Sequence, residues 1–278
     1  MIDWLASYPK SGNTWMRMLL ANYYREDDQP HDINAPGVTN GIASSRMRFD
    51  ELLCLDSTIM TDDEVAQLQP HVFDVLLQLS PVRQWMKVHD AQVHRADGTW
   101  LLPPQFSGSV VYLIRNPLDV AVSRAFHDGH GDMDKAIAML CAARATIGGG
   151  GKTQLRQTLG DWSHHVTSWV DQDAIPVTVV RYEDMLADTA GELARVIAFA
   201  RPDEVIDEAR LEQAVANAAF DKLQAAEADK GFREVGSRQD RFFRSGTAGD
   251  WVNHLSAEQV DRIIEAHGPT MARFGYSA

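Results

Sequence analysis

Cysteine is scarce: Cys54 and Cys141 are the only two in 278 residues. A disulfide-stapled fold is thereby excluded, a reducing compartment fits, and both thiols are expected to be packing residues. Positive charge is in deficit as well. With 26 Lys and Arg against 39 Asp and Glu, the net charge is −13 at pH 7, which argues against a nucleic-acid surface or a heavily sulfated glycan acceptor, since both are polyanions. A local basic pocket is compatible with that balance. Long apolar runs are missing too, and no segment approaches the length of a membrane span. The opening MIDWLASYPK has an acidic residue where a secretory signal is basic, and its apolar run is too short for a signal core. The expected location is the cytoplasm, with neither nucleic acid nor a membrane span among the expected interactions. The sequence presents no convincing metal-ligand cluster, so no metal is expected.

What is present is the composition of a globular protein, 45% hydrophobic and 23% charged, long enough for one domain spanning residues 1–278. Apolar runs at 2–6, 85–88, 110–114 and 177–180 have strand length and read as buried parallel strands. Helical patterns fill the intervals at 13–24, 62–79, 118–127, 134–144, 162–171, 189–200, 211–219 and 256–267. Strand alternating with helix predicts an α/β fold, a central parallel β-sheet flanked by helices on both faces. Two stretches, 29–48 and 147–158, read as loops. The second contains GGGGKT, which fails as a Walker motif because Thr146 stands where the first glycine belongs and no strand precedes it.

Chemistry concentrates in YPKSGNTW, residues 8–15. A strand ending near Ser7, a turn through Pro9 and Gly12, and a helix starting near Asn13 aim free backbone N–H groups and a positive dipole end at one point. An anion belongs there. Lys10 adds a full charge, Ser11, Asn13 and Thr14 add short donors, and Trp15 is an aromatic beside the loop. By itself the stretch is equally a helix start next to an unrelated lysine. In VVYLIRNPLDVAVSRAFH, residues 110–127, a β-branched strand delivers Arg115 to its carboxyl end, and the helix after Pro117 carries Ser123 on an early turn, so guanidinium and hydroxyl can converge on one phosphate. In MKVHDA, residues 86–91, strand alternation puts Lys87 and His89 on one face. That pairs a cation with an imidazole whose unperturbed pKa is about 6.5.

YPKSGNTW resembles the phosphosulfate loop of the soluble sulfotransferases, which use 3′-phosphoadenosine-5′-phosphosulfate (PAPS), with Asn13 where threonine is more usual. The other segments match that family in order and cover most of the chain. The resemblance implies a nucleotide-binding, P-loop NTPase-like fold. It assigns the donor's 3′-phosphate to Arg115 and Ser123, makes His89 the general base, and sets Lys87 beside the sulfuryl group. VVRYEDM, residues 179–185, nominates Tyr182 for the adenine. AAFDKL nominates Phe220 and Leu223, with Ala218 and Ala219 replacing the family's Thr-Ser pair. FFRSGTAGDWVNHLS, residues 242–256, supplies Phe242, Phe243, Arg244, Ser245 and Gly246, with Ser245 where the family has lysine; Asp250 and Trp251 match as anchors. Ser123 is also expected to hydrogen-bond Lys10 until an acceptor arrives.

The implied reaction is sulfuryl transfer from PAPS to a hydroxyl of a small or amphipathic acceptor, an alcohol or phenol in preference, leaving adenosine 3′,5′-bisphosphate (PAP). Lys10, Lys87, His89 and Ser123 are the catalytic candidates. An amine acceptor is the alternative that a histidine base serves equally. A P-loop nucleotide kinase would want its lysine after the glycine. A non-catalytic nucleotide-binding module would not need Lys87 and His89. The acceptor pocket is expected from 29–48, the region before His89, and 147–158, with Trp85, Phe126 and Trp162 as apolar walls. The family's C-terminal dimer signature would fall at 252–261 and is absent, which favours a monomer or a dimer formed differently.

Overall fold

The computed structural model describes the chain except at Pro36, Ala96, His130, residues 151–152, residues 236–240 and Ala278, and except for the side chain of Asn40. The strands are β1 (Ile2–Ser7), β2 (Thr39–Ile42), β3 (Gln84–Val88), β4 (Ser107–Ile114), β5 (Thr146–Ile147), β6 (Gln157–Thr158) and β7 (Val177–Arg181). The helices are α1 (Asn13–Tyr23), α2 (Arg46–Leu53), α3 (Asp62–Leu79), α4 (Pro117–His127), α5 (Met133–Leu140), α6 (Trp162–Val170), α7 (Tyr182–Ala187), α8 (Thr189–Ala200), α9 (Glu208–Asn217), α10 (Phe220–Lys230) and α11 (Ala257–Arg273). Five strands form one parallel sheet in the order β2-β3-β1-β4-β7. β5 and β6 form a separate antiparallel pair.

Side-chain alternation along each strand explains the layers. Ile2, Trp4 and Ala6 of β1, Met86 and Val88 of β3, and Val110, Tyr112 and Ile114 of β4 join one core with residues of α3, α4, α5, α6 and α11. Leu5, Trp85, Val111 and Leu113 point the other way, into a second core with α1, α8, α9 and α10. The sheet is therefore covered on both faces, as its continuous apolar strands require. Register brings the carboxyl ends into line: Ala6 opposes Val88, Ser7 opposes Leu113, and Ile114 opposes Arg181. β3 and β2 lie on one side of β1 and β4 and β7 on the other, and the chain fills the first side before it crosses to the second. The crevice at this reversal of order is where open α/β sheets bind ligands.

The expected strands and helices are present, with boundary shifts. α3 and α8 match their predicted limits; α3 opens on a reciprocal Thr61–Glu64 capping box and an acidic first turn. α5 stops at Leu140 rather than at 144. α11 continues through Pro269 to Arg273 because burial of His267 and Met271 carries it past the proline. The stretch 29–48 is not wholly loop: its residues Thr39 to Ile42 form edge strand β2, which strand-poor Asn and Gly conceal. Residues 147–158 contribute to the β5–β6 pair, while Gly151 and Lys152 of the glycine run, like Pro36 in the first stretch, lie outside the described residues. Cys141 packs at the edge of a core as expected, but Cys54 is exposed, in a left-handed conformation (φ 53°) at the end of α2. Trp85 and Trp162 are buried core residues on opposite faces of the sheet and do not wall a pocket.

Candidate functional site

A cavity of about 720 Å³ opens over the carboxyl ends of β1, β3 and β4. Its floor is the turn between β1 and α1, where Lys10 (φ 75°) and Gly12 (φ 96°) adopt left-handed conformations. Glycine is required at 12, because a Cβ there would lie 2.7 Å from the Tyr182 ring. Gly12 is also the N-cap of α1 and gives no side-chain cap, so the first-turn amides keep their hydrogen-bonding capacity for a ligand. Asn13 is turned inward: its Nδ2 donates to the Leu5 carbonyl (2.9 Å) and to Ser7 Oγ (3.2 Å), stapling the turn to β1. Ser11 is fully buried with an unpartnered hydroxyl and does not line the cavity, unlike the other nominated turn residues.

β3 carries Lys87 and His89 into the same space. His89 Nδ1 lies 2.9 Å from the Ser7 carbonyl and 3.2 Å from Ser7 Oγ. Burial, and then the charge of Lys87, hold the His89 pKa well below its ordinary value. Lys10 is likewise depressed, to about 7, by burial and by the neighbouring Lys87, Arg124 and Arg115. Its Nζ sits 3.4 Å from His127 Nδ1 and 4.3 Å from the Phe242 ring centre. The expected resting partner, Ser123, makes no described bond to Lys10. Ser123 does line the cavity, and His127, one turn farther along α4, takes up that contact.

At the other end, Arg115 donates to the carbonyls of Thr247 (2.9 Å) and Lys10 (3.4 Å) and lies 4.3 Å over the Tyr182 ring, with its Nε buried and unpartnered. Arg244 binds Asp250 at 2.9 Å and stacks over Phe126, which occupies that aromatic and keeps it out of the cavity wall. Ser245 Oγ pairs with Thr247 Oγ1 (2.6 Å). Trp15, edge-on to Tyr182 with ring centres 5.8 Å apart, donates its indole N–H to the Ala218 carbonyl. Ala218 and Ala219 bring no side-chain hydroxyl to this end of the cavity. Phe220, Leu223, Phe242, Phe243 and Gly246 complete this aromatic end. On the side beyond His89, the lining comes from Gly41, Ile42, Ile147, Thr153 and Gln154.

Arg17, Arg124, His127 and Glu234 also line the cavity and were not singled out from sequence. Helical spacing is the signal for two of them: Arg17 follows Thr14 by three residues, and His127 follows Ser123 by four. Glu234 accepts from Lys87 Nζ and Thr14 Oγ1, each at 3.3 Å, and from Arg17. Burial raises its pKa, but Lys87 and Arg17 outweigh that and hold it at about 2. No helix among the described residues is long and apolar enough to cross a membrane.

Comparison with known proteins bears on the family and the fold. Cytosolic sulfotransferase 15 of Arabidopsis thaliana is 26% identical over 93% of this chain and 68% of its own length. The amine sulfotransferase of Oryctolagus cuniculus is 23% identical over 92% of this chain and 76% of its own. In fold, a mouse sulfotransferase complexed with PAP matches with a TM-score of 0.61 at 20% identity, covering 98% of this chain and 84% of that one. Retinol dehydratase in a complex with retinol and PAP matches with a TM-score of 0.62 at 17% identity, covering 100% and 83%. A family model described as a sulfotransferase domain matches residues 3–275, and the chain belongs to the sulfotransferase family.

Proposed function

We propose that this sulfotransferase uses PAPS and transfers its sulfuryl group to the hydroxyl of a small acceptor, with His89 as general base. The observation that carries the reading is the convergence of Lys10, Lys87 and His89 in one cavity whose far end holds Arg115, Arg244 and an aromatic slot. The residues fit such a donor. Arg115 Nε is a buried donor without a partner, and the start of α1 is an uncapped helix N-terminus.

Lys10, Thr14 and the α1 amides would hold the 5′ end; Arg115, Arg244, Ser123 and the Gly246 backbone would hold the 3′-phosphate; Trp15, Tyr182 and Phe220 would enclose the base. When bound, the donor supplies a sulfuryl group on a phosphate leaving group. The chain's own part is positioning and charge. The Ser7 carbonyl can only accept, so His89 Nδ1 carries the proton that bonds to it, and Nε2 keeps a lone pair. A depressed pKa keeps that imidazole neutral at pH 7, ready to take the proton of an acceptor hydroxyl as its oxygen attacks sulfur in line. Lys10 and Lys87 stabilise the charge that grows on the leaving phosphate and the sulfuryl oxygens. The products are a sulfate ester and PAP.

A mass-shift screen tests this reading: PAPS is incubated with the protein and pools of alcohols, phenols and amines, and a PAPS-dependent gain of one sulfate is sought, with His89→Ala as control. Gain only in the amine pool would overturn the hydroxyl assignment, and gain with His89→Ala equal to the unsubstituted protein would overturn the base.

A further inference from the structure

Glu234 is the single carboxylate among the described residues that line the cavity. The cations of the lining include Lys10, Arg17, Lys87, Arg115 and Arg124. Its oxygens sit where an anionic ligand would be expected, bonded to Thr14 Oγ1 at the start of α1, to Lys87 Nζ, and to Arg17. Thr14 and Lys87 are the very groups assigned above to the donor's phosphosulfate end. The carboxylate comes from elsewhere in the chain, on a turn whose Val235 N–H bonds the Phe232 carbonyl (3.1 Å) and whose Arg233 N–H bonds Asn34 Oδ1 (2.9 Å). Phe232 anchors that turn against Phe242 and Phe243, at ring separations of 4.9 and 5.4 Å.

We propose that Glu234 is an internal competitor for the anion cradle: in the free protein its carboxylate fills the cradle and must leave before a phosphate or sulfate takes that place, which lowers the affinity of every cradle ligand and leaves useful binding to those also held at a second point. The inference rests on the donor reading given above. A tethered group competes at an effective concentration of the order of millimolar. A free inorganic anion gains nothing elsewhere and is rejected. A nucleotide gains contacts at Arg115, Arg244 and the aromatic slot and displaces the carboxylate. Every ligand that needs the cradle has its affinity reduced by the same occupancy factor, and a ligand that does not need it has none to overcome.

Calorimetry on the full chain and on Glu234→Gln, with PAP, adenosine 3′-monophosphate and inorganic sulfate as probes, tests this. The expected result is that PAP and sulfate tighten by a common factor of about tenfold while adenosine 3′-monophosphate, which has no 5′ anion, stays within about twofold. Equal tightening of all three, or no tightening of PAP, overturns the proposal and leaves the donor reading intact. If neither protein binds PAP, the donor reading falls; tighter sulfate binding by Glu234→Gln then still supports the carboxylate as competitor, and its absence overturns both. Amide exchange of the unsubstituted protein serves if the variant does not fold. Saturating PAP should speed exchange of the Arg233 and Val235 amides while protecting residues 12–16, and slower or unchanged exchange at 233 and 235 overturns the proposal.

Discussion

His89 Nδ1 and the carbonyl oxygen of Ser7 are 2.9 Å apart, which ties the imidazole on the β3 side of the sheet to the end of β1. The bond fixes both the ring orientation and the tautomer, and none of the described hydrogen bonds uses Nε2. A neutral ring held this way has Nε2 available to accept a proton and offers no positive charge to an anion. Replacement by Ala or Asn should lower kcat by about 10²- to 10⁴-fold, while PAP affinity measured by calorimetry changes by less than about threefold, the neutral ring contributing no charge to anion binding.

The depressed pKa of His89 has a testable sign. Burial and Lys87 both disfavour the imidazolium, so activity should persist on acidification until well below pH 6.5. The unfolded chain binds a proton at this site at higher pH than the folded one, so this group makes the protein less stable as pH falls through the ordinary histidine range. Lys87→Met removes the larger of the charge effects that lower the His89 pKa, leaving burial and His165. Its acid limb in kcat against pH should move upward, toward the ordinary histidine value, and an unmoved limb would show that the limb belongs to another group.

Lys10 titrates near neutrality for the same physical reasons. Anion binding favours the ammonium, so PAP binding takes up a proton once the free lysine has lost it. Affinity should be flat below about pH 6.5 and should weaken above pH 7 by up to about tenfold per unit. Lys10→Arg, charged throughout, should abolish the slope; Lys10→Met should abolish it at uniformly weaker binding. For folding the sign is opposite to that of an ion-paired lysine. The unfolded chain binds more protons between pH 7 and 10.5, so this group lets stability rise with pH in that window, and denaturant midpoints of the unsubstituted protein and Lys10→Met should converge there.

Asp119 links the helix that carries Ser123 to the segment that carries Arg244. Its Oδ2 accepts from the Gly249 N–H at 2.8 Å and its Oδ1 from the Trp251 N–H at 3.1 Å, and the side chain is buried. Asp119→Ala leaves two backbone donors without an acceptor and should destabilise the fold by about 2–3 kcal/mol in urea unfolding. It should also lower the preference for PAP over AMP, because Arg244 and Gly246 lose their anchor.

Much of this arrangement was legible because it is local or periodic. The strand, the turn and the start of α1 lie within one stretch of sequence, and two-residue alternation alone predicts that Lys87 and His89 share a side of β3. Arg115 follows from the end of an unmistakable β-branched strand. Other relations are not local. Glu234 meets Lys87 across 147 residues, and no spacing rule connects them. Lys10 reaches His127 instead of Ser123 because α4 presents both along one line and the longer side chain spans the gap. The edge strand β2 is short and pairs on one side only, with β3, so its sequence carries little apolar signal. The chemistry of Trp85 and Trp162 suits a pocket wall, but each sits at an inward position whose burial stabilises the fold more than exposure to an aqueous cavity would.

Gly246 offers a way to separate recognition at the base and 3′-phosphate end from recognition at the 5′ cradle. Its backbone is left-handed, at φ +66°, and a Cβ built there would lie 2.6 Å from Phe220 Cε2, well inside van der Waals contact. Phe220 forms part of the aromatic end of the cavity and packs edge-on against Phe243, with ring centres 6.3 Å apart. In Gly246→Ala the ring has to move or the segment bearing Arg244 has to withdraw, and either change distorts the slot for the base. The cost combines backbone strain of about 1 kcal/mol with lost stacking of similar size, so PAP affinity should fall by about 10- to 100-fold. No described hydrogen bond or ring contact of Lys10, Thr14 or Lys87 reaches Gly246 or Phe220. Inorganic sulfate should therefore bind Gly246→Ala within about twofold of the unsubstituted protein in the same titration, whereas parallel loss of both ligands would mean that the two ends of the site do not act independently.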